Sequence, residues 1–400
     1  MKKFMNLVIS AAVVASLSVG VSNNGWADAD DEIIVGFAAA TSGWMMPFSW
    51  PPAIAAKLKI EELNAAGGLL GKQIRIVEAD AKSDRAEGAK AGMSVIGEGA
   101  DIVIVDCDFD MGAPAALMAQ NAGLISFSLC AGDPKMGIEG VGDYAFSAGN
   151  AAQVDGAAAA TWAYEKRGAR KAYVLLDDTI EYDKSTCVGW NWAWDQLDGV
   201  TTVGRDVFQN GDPRIAPQID RLKSVSEKPD VIAICSYPPG GASAVRQLRA
   251  AGIDTLILTG VAFDGTYWHD AVPNLSNFCV ATYGAVSADI QPEVAKFVQD
   301  YTEKAGSPPP SAFPLPGYSL IQLWARAVER AGTVETKAVV EEFEKMDGED
   351  SIIGPRRFTN KLHIADEARY AMMCAENGGL SFQEYWSAGP IPNDVLMKNK

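Results

Sequence analysis

Three aspartates alternate in the run Asp106-Cys107-Asp108-Phe109-Asp110-Met111-Gly112, the spacing with which an oxygen-rich calcium loop begins. Such a loop needs glycine at its sixth position and a bidentate glutamate at its twelfth. Here those positions hold Met111 and Leu117, and the metal reading fails. What remains is a pair of carboxylates, Asp108 and Asp110, at the end of an apolar strand. Asp110 is also placed to cap a helix opening at Ala113-Pro114. Only two histidines occur, His269 and His363, far apart in the chain, which leaves no zinc set and no histidine-based triad. The stretch 66–72, AGGLLGK, lacks the first glycine of a phosphate loop. Gln73 stands where serine or threonine would meet magnesium. No G-x-S-x-G occurs, and no G-x-G-x-x-G follows the first strand. The chemistry on offer is therefore binding without turnover, and no metal or cofactor is expected.

The elements that must position these residues read as short apolar strands alternating with helices. In the first half, strands are expected at 33–39, 74–79, 102–105 and 124–128, with helices at 52–64, 86–98 and 113–120. This is the rhythm of a doubly wound parallel sheet. Near 144–150 the pattern restarts: helix 153–167, strand 171–176, helix 187–197, strand 202–208, helix 215–226, strand 231–235, helix 241–250, then strands 255–258 and 278–283. Two similar patterns in series imply two similar α/β lobes. The last third is mixed, with helices expected at 293–304, 317–331 and 336–346, a proline-rich connector at 307–316 and a strand at 369–374. In the 317–332 helix, Leu320, Leu323, Trp324, Ala327 and Val328 form one apolar stripe, so Trp324 is read as core. Trp190, Trp192 and Trp194 diverge by about 200° per step of two on a helix and cannot share one face.

Residues 1–29 read as a secretory leader: Lys2 and Lys3 open it, an apolar run fills 5–21, and Ala27-Asp28-Ala29 offers a cleavage site, with cleavage after Ala27 as the near alternative. No later apolar run reaches membrane-spanning length, so the mature chain is expected to be soluble and periplasmic. The formal net charge of −17 repels nucleic acid and anionic lipid. In an oxidising compartment the six cysteines favour disulfides. Cys107 and Cys130 each follow an expected strand, and those strands should be neighbours. Cys187 with Cys235 and Cys279 with Cys374 are the other expected pairs.

The segment Asn64-Ala65-Ala66-Gly67-Gly68-Leu69-Leu70-Gly71 closes the first strand–helix–strand unit, its glycines supplying the turns. It closely resembles the N-A-A-G-G-x-x-G signature of the branched-chain amino-acid (Leu/Ile/Val) class of periplasmic solute-binding proteins. Thr41-Ser42-Gly43, the run 245–253 (VRQLRAAGI) and the run 352–358 (IIGPRRF) resemble further landmarks of that class. The resemblance implies the type I periplasmic binding protein fold. Its lobes would comprise 30–148 plus 285–351 and 149–284 plus 352–400, with three crossovers near 146–150, 284–287 and 352–354. It also implies a monomer that captures a small solute in the interlobe cleft for membrane ABC permease subunits. A sensor that presents its solute to a receptor is the alternative within binding, and a secreted enzyme is the disfavoured reading of another class.

Aligned on that family, Tyr182, Tyr237 and Asp264 match second-lobe ligand positions, with Asp264 facing a ligand ammonium and the tyrosines stacking or accepting hydrogen bonds. Ser128, Ala131 and Gly132 match partners of a ligand carboxylate. The chain departs from the family in two places. Asp108-Phe109-Asp110 replaces a run of serine and threonine, and two carboxylates there would repel an anionic ligand group. The first-strand loop 43–50, GWMMPFSW, brings Trp44 and Phe48 in place of small polar residues. These departures favour a cationic or neutral solute with an apolar body over a plain amino acid.

Overall fold

The computed structural model describes residues 32–287 and 291–398. The leader and both of its cleavage positions lie outside the described residues. Five strands, β1 (Glu32–Ala39), β2 (Gln73–Asp80), β3 (Ile102–Val105), β4 (Ile125–Ser128) and β5 (Ala145–Ser147), form a wholly parallel sheet in the order β2-β1-β3-β4-β5. Between them run α1 (Met46–Ala65), α2 (Arg85–Gly97) and α3 (Phe109–Asn121). Ile102–Val105 and Ile125–Ser128 are buried at every position, as a parallel sheet covered on both faces requires.

The chain then enters a second, seven-stranded sheet through α4 (Ala152–Arg167), β6 (Lys171–Asp177), α5 (Glu181–Trp194), β7 (Thr201–Phe208), α6 (Ala216–Ser224), β8 (Val231–Cys235), α7 (Gly240–Ala250), β9 (Leu256–Thr259) and β10 (Phe278–Thr282). Helices α8 (Pro292–Ala305), α9 (Pro314–Ala331) and α10 (Thr336–Phe343) lead to a two-stranded ribbon, β11 (Asp347–Glu349) with β12 (Arg356–Arg357). Strands β13 (Tyr370–Glu376) and β14 (Gly379–Trp386) then add antiparallel to the second sheet, giving β14-β13-β10-β9-β8-β6-β7, and α11 (Asn393–Leu396) closes the described chain. The fold is thus α/β with two parallel-rich sheets, as expected.

Several boundaries differ from the sequence reading for physical reasons. Helix α1 starts at Met46 and runs through Pro51, whereas the reading began the helix only at 52. Its first turns are anchored from outside: Ser49 Oγ donates to Asp106 Oδ1 (2.7 Å) and accepts from Cys107 N (3.2 Å). Helix α3 is capped by Asp108, whose Oδ1 accepts from Met111 N at 3.1 Å, so the expected cap at Asp110 lies inside the first turn. Helix α5 begins at Glu181, which puts Tyr182 on a helix. The hairpin partner β14 was not foreseen.

The third passage between sheets comes later than 352–354. Phe358 packs edge-on to Phe127, Phe146 and Phe343 in the core of the first sheet, and His363 stacks on Phe146 at 3.8 Å. The first and third passages then run side by side, with Ser147 N donating to His363 O (2.9 Å) and Ala151 N to Ala365 O (2.8 Å). Trp324 is 1% exposed within that first core, beside Leu320 and Leu323. All three expected disulfides are present: Cys107–Cys130 beside β3 and β4, Cys187–Cys235 joining α5 to β8, and Cys279–Cys374 directly across the β10–β13 pair.

Candidate functional site

The carboxyl ends of both sheets face one another across a cleft, the position where open α/β sheets hold ligands. From the first lobe, the loop after β1 is pinned from below. Thr41 N and Ser42 Oγ donate to Asp80 (2.9 and 2.6 Å), Ala40 N to Asp106 (2.7 Å) and Met45 N to Ser83 Oγ (2.9 Å). Gly43 takes φ +82°, and a Cβ there would meet Ser83 Oγ at 2.5 Å, so only glycine fits. This pinning aims Trp44 and Phe48 across the cleft. Trp44 lies 5.3 Å from the Tyr237 ring, and Phe48 packs edge-on to Tyr237 (6.4 Å), Tyr267 (6.3 Å) and Phe313 (5.6 Å).

Trp44, Phe48, Asp108, Tyr182 and Tyr237, all proposed from sequence, line a single cavity of about 30 Å³. The sequence reading missed the other walls: Met45, Ile180, Val261, Ala262 and Phe313, with the Cys107–Cys130 disulfide as floor. A volume of that size holds a water or two, far below the several hundred Å³ of a solute pocket. The lobes are therefore shut in this structure, and a solute must part them or displace side chains to enter. A larger cavity of about 810 Å³ lies among the crossing segments, near Tyr283, Asp350, Arg356 and Arg369. It contains none of the candidates.

The remaining candidates do not line the cleft cavity. Ser128 Oγ donates to Asp106 O (2.6 Å) and accepts from Ala131 N (3.0 Å), so the hydroxyl and the amide that would hold a ligand carboxylate are already paired. Gly132 has a packing role: a Cβ there would meet the Tyr182 ring at 2.9 Å. Asp264 Oδ2 accepts from Ala312 N at 2.7 Å, tying its loop to the start of α9, and burial raises its carboxyl to about 7 despite that bond. Asp110 does cap a helix, but one in the other lobe. Its Oδ2 accepts from Glu181 N at the start of α5 (2.9 Å), while its Oδ1 takes Arg85 (2.6 Å).

That contact belongs to a seam of cross-lobe bonds. Lys135 reaches Glu181 (2.7 Å), Ser185 Oγ donates to Asp133 (2.7 Å), and Lys398 bridges Asp133 and Glu181 (2.7 and 2.8 Å). Burial would raise the Glu181 carboxyl, but hydrogen bonds from Lys135, Lys398 and Lys184 hold it well below the ordinary range.

Within the cavity wall, Tyr182 OH donates to Asp155 Oδ2 (3.1 Å) and accepts from Ala262 N (3.2 Å), which leaves its ring to face the cleft. Burial lifts Asp155 to about 7, although Tyr370, Val261 and Tyr182 all donate to it. Asp108 is 4% exposed, and burial together with neighbouring Asp110 raises it to about 8. Next to Tyr182, Asp183 is fully buried, with no partner for either oxygen among the described residues. Nothing in the sequence marked it, since the reading left it ahead of the helix expected at 187–197.

Trp190 and Trp194 stack at 5.6 Å inside the second core. Both histidines are structural: His269 contacts Gly378 O (3.2 Å), and His363 contacts Ala145 O (2.9 Å). Among the described residues no group of His, Cys, Asp or Glu is placed to hold a metal. An apolar slot between aromatic rings, with carboxyl groups at one side, can grip a solute without transforming it.

The sequence model of the periplasmic binding protein family matches residues 32–379. The Leu/Ile/Val-binding protein homolog 3 of Brucella melitensis is 24% identical over 84% of this chain and 88% of its own length. An isoleucine-bound branched-chain amino acid transporter substrate-binding protein of Streptococcus pneumoniae superposes with a TM-score of 0.76 at 24% identity, covering 88% of this chain and 98% of that one. A solute-binding protein of an R. palustris ABC transporter, solved with 4-hydroxybenzoate, superposes with a TM-score of 0.78 at 15% identity, over 92% and 100% of the two chains. The two superpositions speak to the fold, and the sequence model to kinship: this chain belongs to the periplasmic binding protein family, whose members bind solutes and are not enzymes.

Proposed function

We propose that this chain is the periplasmic solute-binding component of an ABC importer and that it closes its two lobes over a small solute for delivery to the permease. The observation that carries the reading is the cleft cavity to which both lobes contribute: Trp44, Phe48 and Asp108 from one, Tyr182 and Tyr237 from the other. A ligand that touches both lobes only when they are shut draws the population to the closed form by its differential affinity. The relatives named above include one called a Leu/Ile/Val-binding protein and one solved with an aromatic acid, so kinship leaves the solute open. The residues favour a cationic or neutral compound with an apolar or aromatic body. Ser128 Oγ and Ala131 N are already paired, and Asp108 stands where a ligand carboxylate would need a donor.

A thermal-shift screen tests this, because a ligand of the folded state raises the melting temperature as ln(1 + [L]/Kd). Apolar amines or neutral aromatic compounds are expected to stabilise the protein more than leucine or isoleucine. Tight leucine binding, with no response to amines or neutral compounds, would restore the plain amino-acid reading.

A further inference from the structure

Two residues from each lobe form a ring of alternating charge at one edge of the cleft. From the first lobe come Asp133 and Lys135, which flank Pro134 at a short turn after β4. From the second come Glu181, at the start of α5, and Lys398, just past α11. Lys398 Nζ donates to Asp133 Oδ2 (2.7 Å) and to Glu181 Oε2 (2.8 Å), and Lys135 Nζ donates to the same Glu181 oxygen (2.7 Å). Asp133 Oδ1 closes the ring by accepting from Lys135 N (2.9 Å), while its Oδ2 also accepts from Ser185 Oγ (2.7 Å). Both donors to that Oδ2 therefore cross from the other lobe.

The segment that carries Lys398 is seated on the second lobe before it reaches across. Gln153 Nε2, from the buried first turn of α4, donates to Leu396 O (2.7 Å), and Leu396 itself is buried. Met397 N and Lys398 N fold back onto Asn393 O (2.9 Å) and Val395 O (3.2 Å). The backbone is thus ordered within its own lobe, and closure immobilises only the lysine side chain. The Asp133 side chain is 1% exposed, against 17% for Glu181 and 21% for Lys398, so these pairs are better shielded than ordinary surface ion pairs. Helix α5 has no side-chain cap of its own. Asp110 Oδ2 of the first lobe accepts from Glu181 N instead (2.9 Å), so parting the lobes would uncap the helix that carries Tyr182.

We propose that residues 393–398 act as a strap: Lys398 latches the turn at 133–135 to the start of α5 and holds the cleft shut before any solute enters. The strap rests on the solute-binding reading for its purpose, but its action is a property of the chain alone. A latch made of protein groups favours closure whatever the solute, so it sets the balance of open and closed forms and not the choice of ligand. Its ion pairs lie at the cleft edge, and added salt weakens them.

Small-angle X-ray scattering of the full chain tests the strap without a ligand. Any bound solute is first removed by dialysis in denaturant and refolding, with native mass measurement confirming the bare chain. At low salt the wild type should scatter as the shut structure. Lys398→Met keeps the length of the side chain and removes its charge. It should lower the closed-to-open ratio at least about five-fold, as the loss of two shielded ion pairs implies, and enlarge the radius of gyration. Lys345→Met, whose lysine pairs with Glu342 three residues away, should leave the profile unchanged. Raising salt from about 0.01 M to about 1 M should open the wild type. If Lys398→Met does not fold, Lys135→Met breaks the same ring from the first lobe and takes its place. A wild type already open at low salt overturns the strap, and so does a ring variant as closed as the wild type. Neither result touches the solute-binding reading, which fails separately if the thermal-shift screen finds no ligand.

Discussion

At the scale of single residues, the site is defined by which polar groups are already paired. Ser128, Ala131, Asp110 and Asp264 hold the protein to itself, Asp108 caps α3 through one oxygen, and Asp183 finds no partner among the described residues. Burial raises Asp108 to about 8 and both Asp155 and Asp264 to about 7. Each of these folded-state values lies above that of the unfolded chain. The stability these groups contribute is therefore full below about pH 4 and is lost as pH rises through 7 to 8. Burial lowers both histidines, so their opposing effect is confined to pH below about 6.5. Glu181 matters only in acid. The ligand-free melting temperature should accordingly fall between pH 6.5 and pH 8, as differential scanning calorimetry can measure. A rise across that window would mean the buried carboxyls are ionised in the folded state. Trp44, Phe48 and Asp108 were legible from the sequence because they break a recognisable pattern at a strand end. Asp183 was not, because the reading left it ahead of the helix expected at 187–197 and only burial makes it informative.

At the scale of elements, the second lobe presents Tyr182 from α5, so the seating of that helix sets the cleft. Helix α5 lies against α4 through two glycines. A Cβ on Gly156 would overlap the Thr186 carbonyl oxygen, and one on Gly189 would overlap the Gln153 backbone. Gly189→Ala should lower stability by about 3 kcal/mol, an overpacking cost against rigid backbone, read as a shift in the denaturant midpoint. An unchanged midpoint would show that the two helices can separate freely. The strand and helix alternation, the disulfide pairs and the core stripe around Trp324 were readable because apolar periodicity and neighbouring strand ends fix them. The start of α1 was hidden by Pro51 and Pro52, which read as a boundary until Ser49 is seen anchored to Asp106. Strand β14 had a signal that went unused: Asn377 and Gly378 both take positive φ, the asparagine–glycine turn of a tight hairpin.

At the scale of the whole molecule, two lobes are shut on an aromatic cleft and bonded along one edge by Asp110–Glu181, Lys135–Glu181, Ser185–Asp133 and Lys398. The ion pairs with Glu181 are partly exposed and each contributes modestly, while the Ser185–Asp133 bond is buried. Closure can therefore be tipped by a ligand that bridges Trp44 and Tyr237. Native mass spectrometry of the freshly purified chain tests the central claim most directly. The account expects a discrete added mass of a small organic compound on the wild type, lost when Trp44 and Tyr237 are both replaced by alanine. A bare-chain mass in the wild type, together with no stabilisation by any amine, neutral aromatic compound or amino acid, would contradict it.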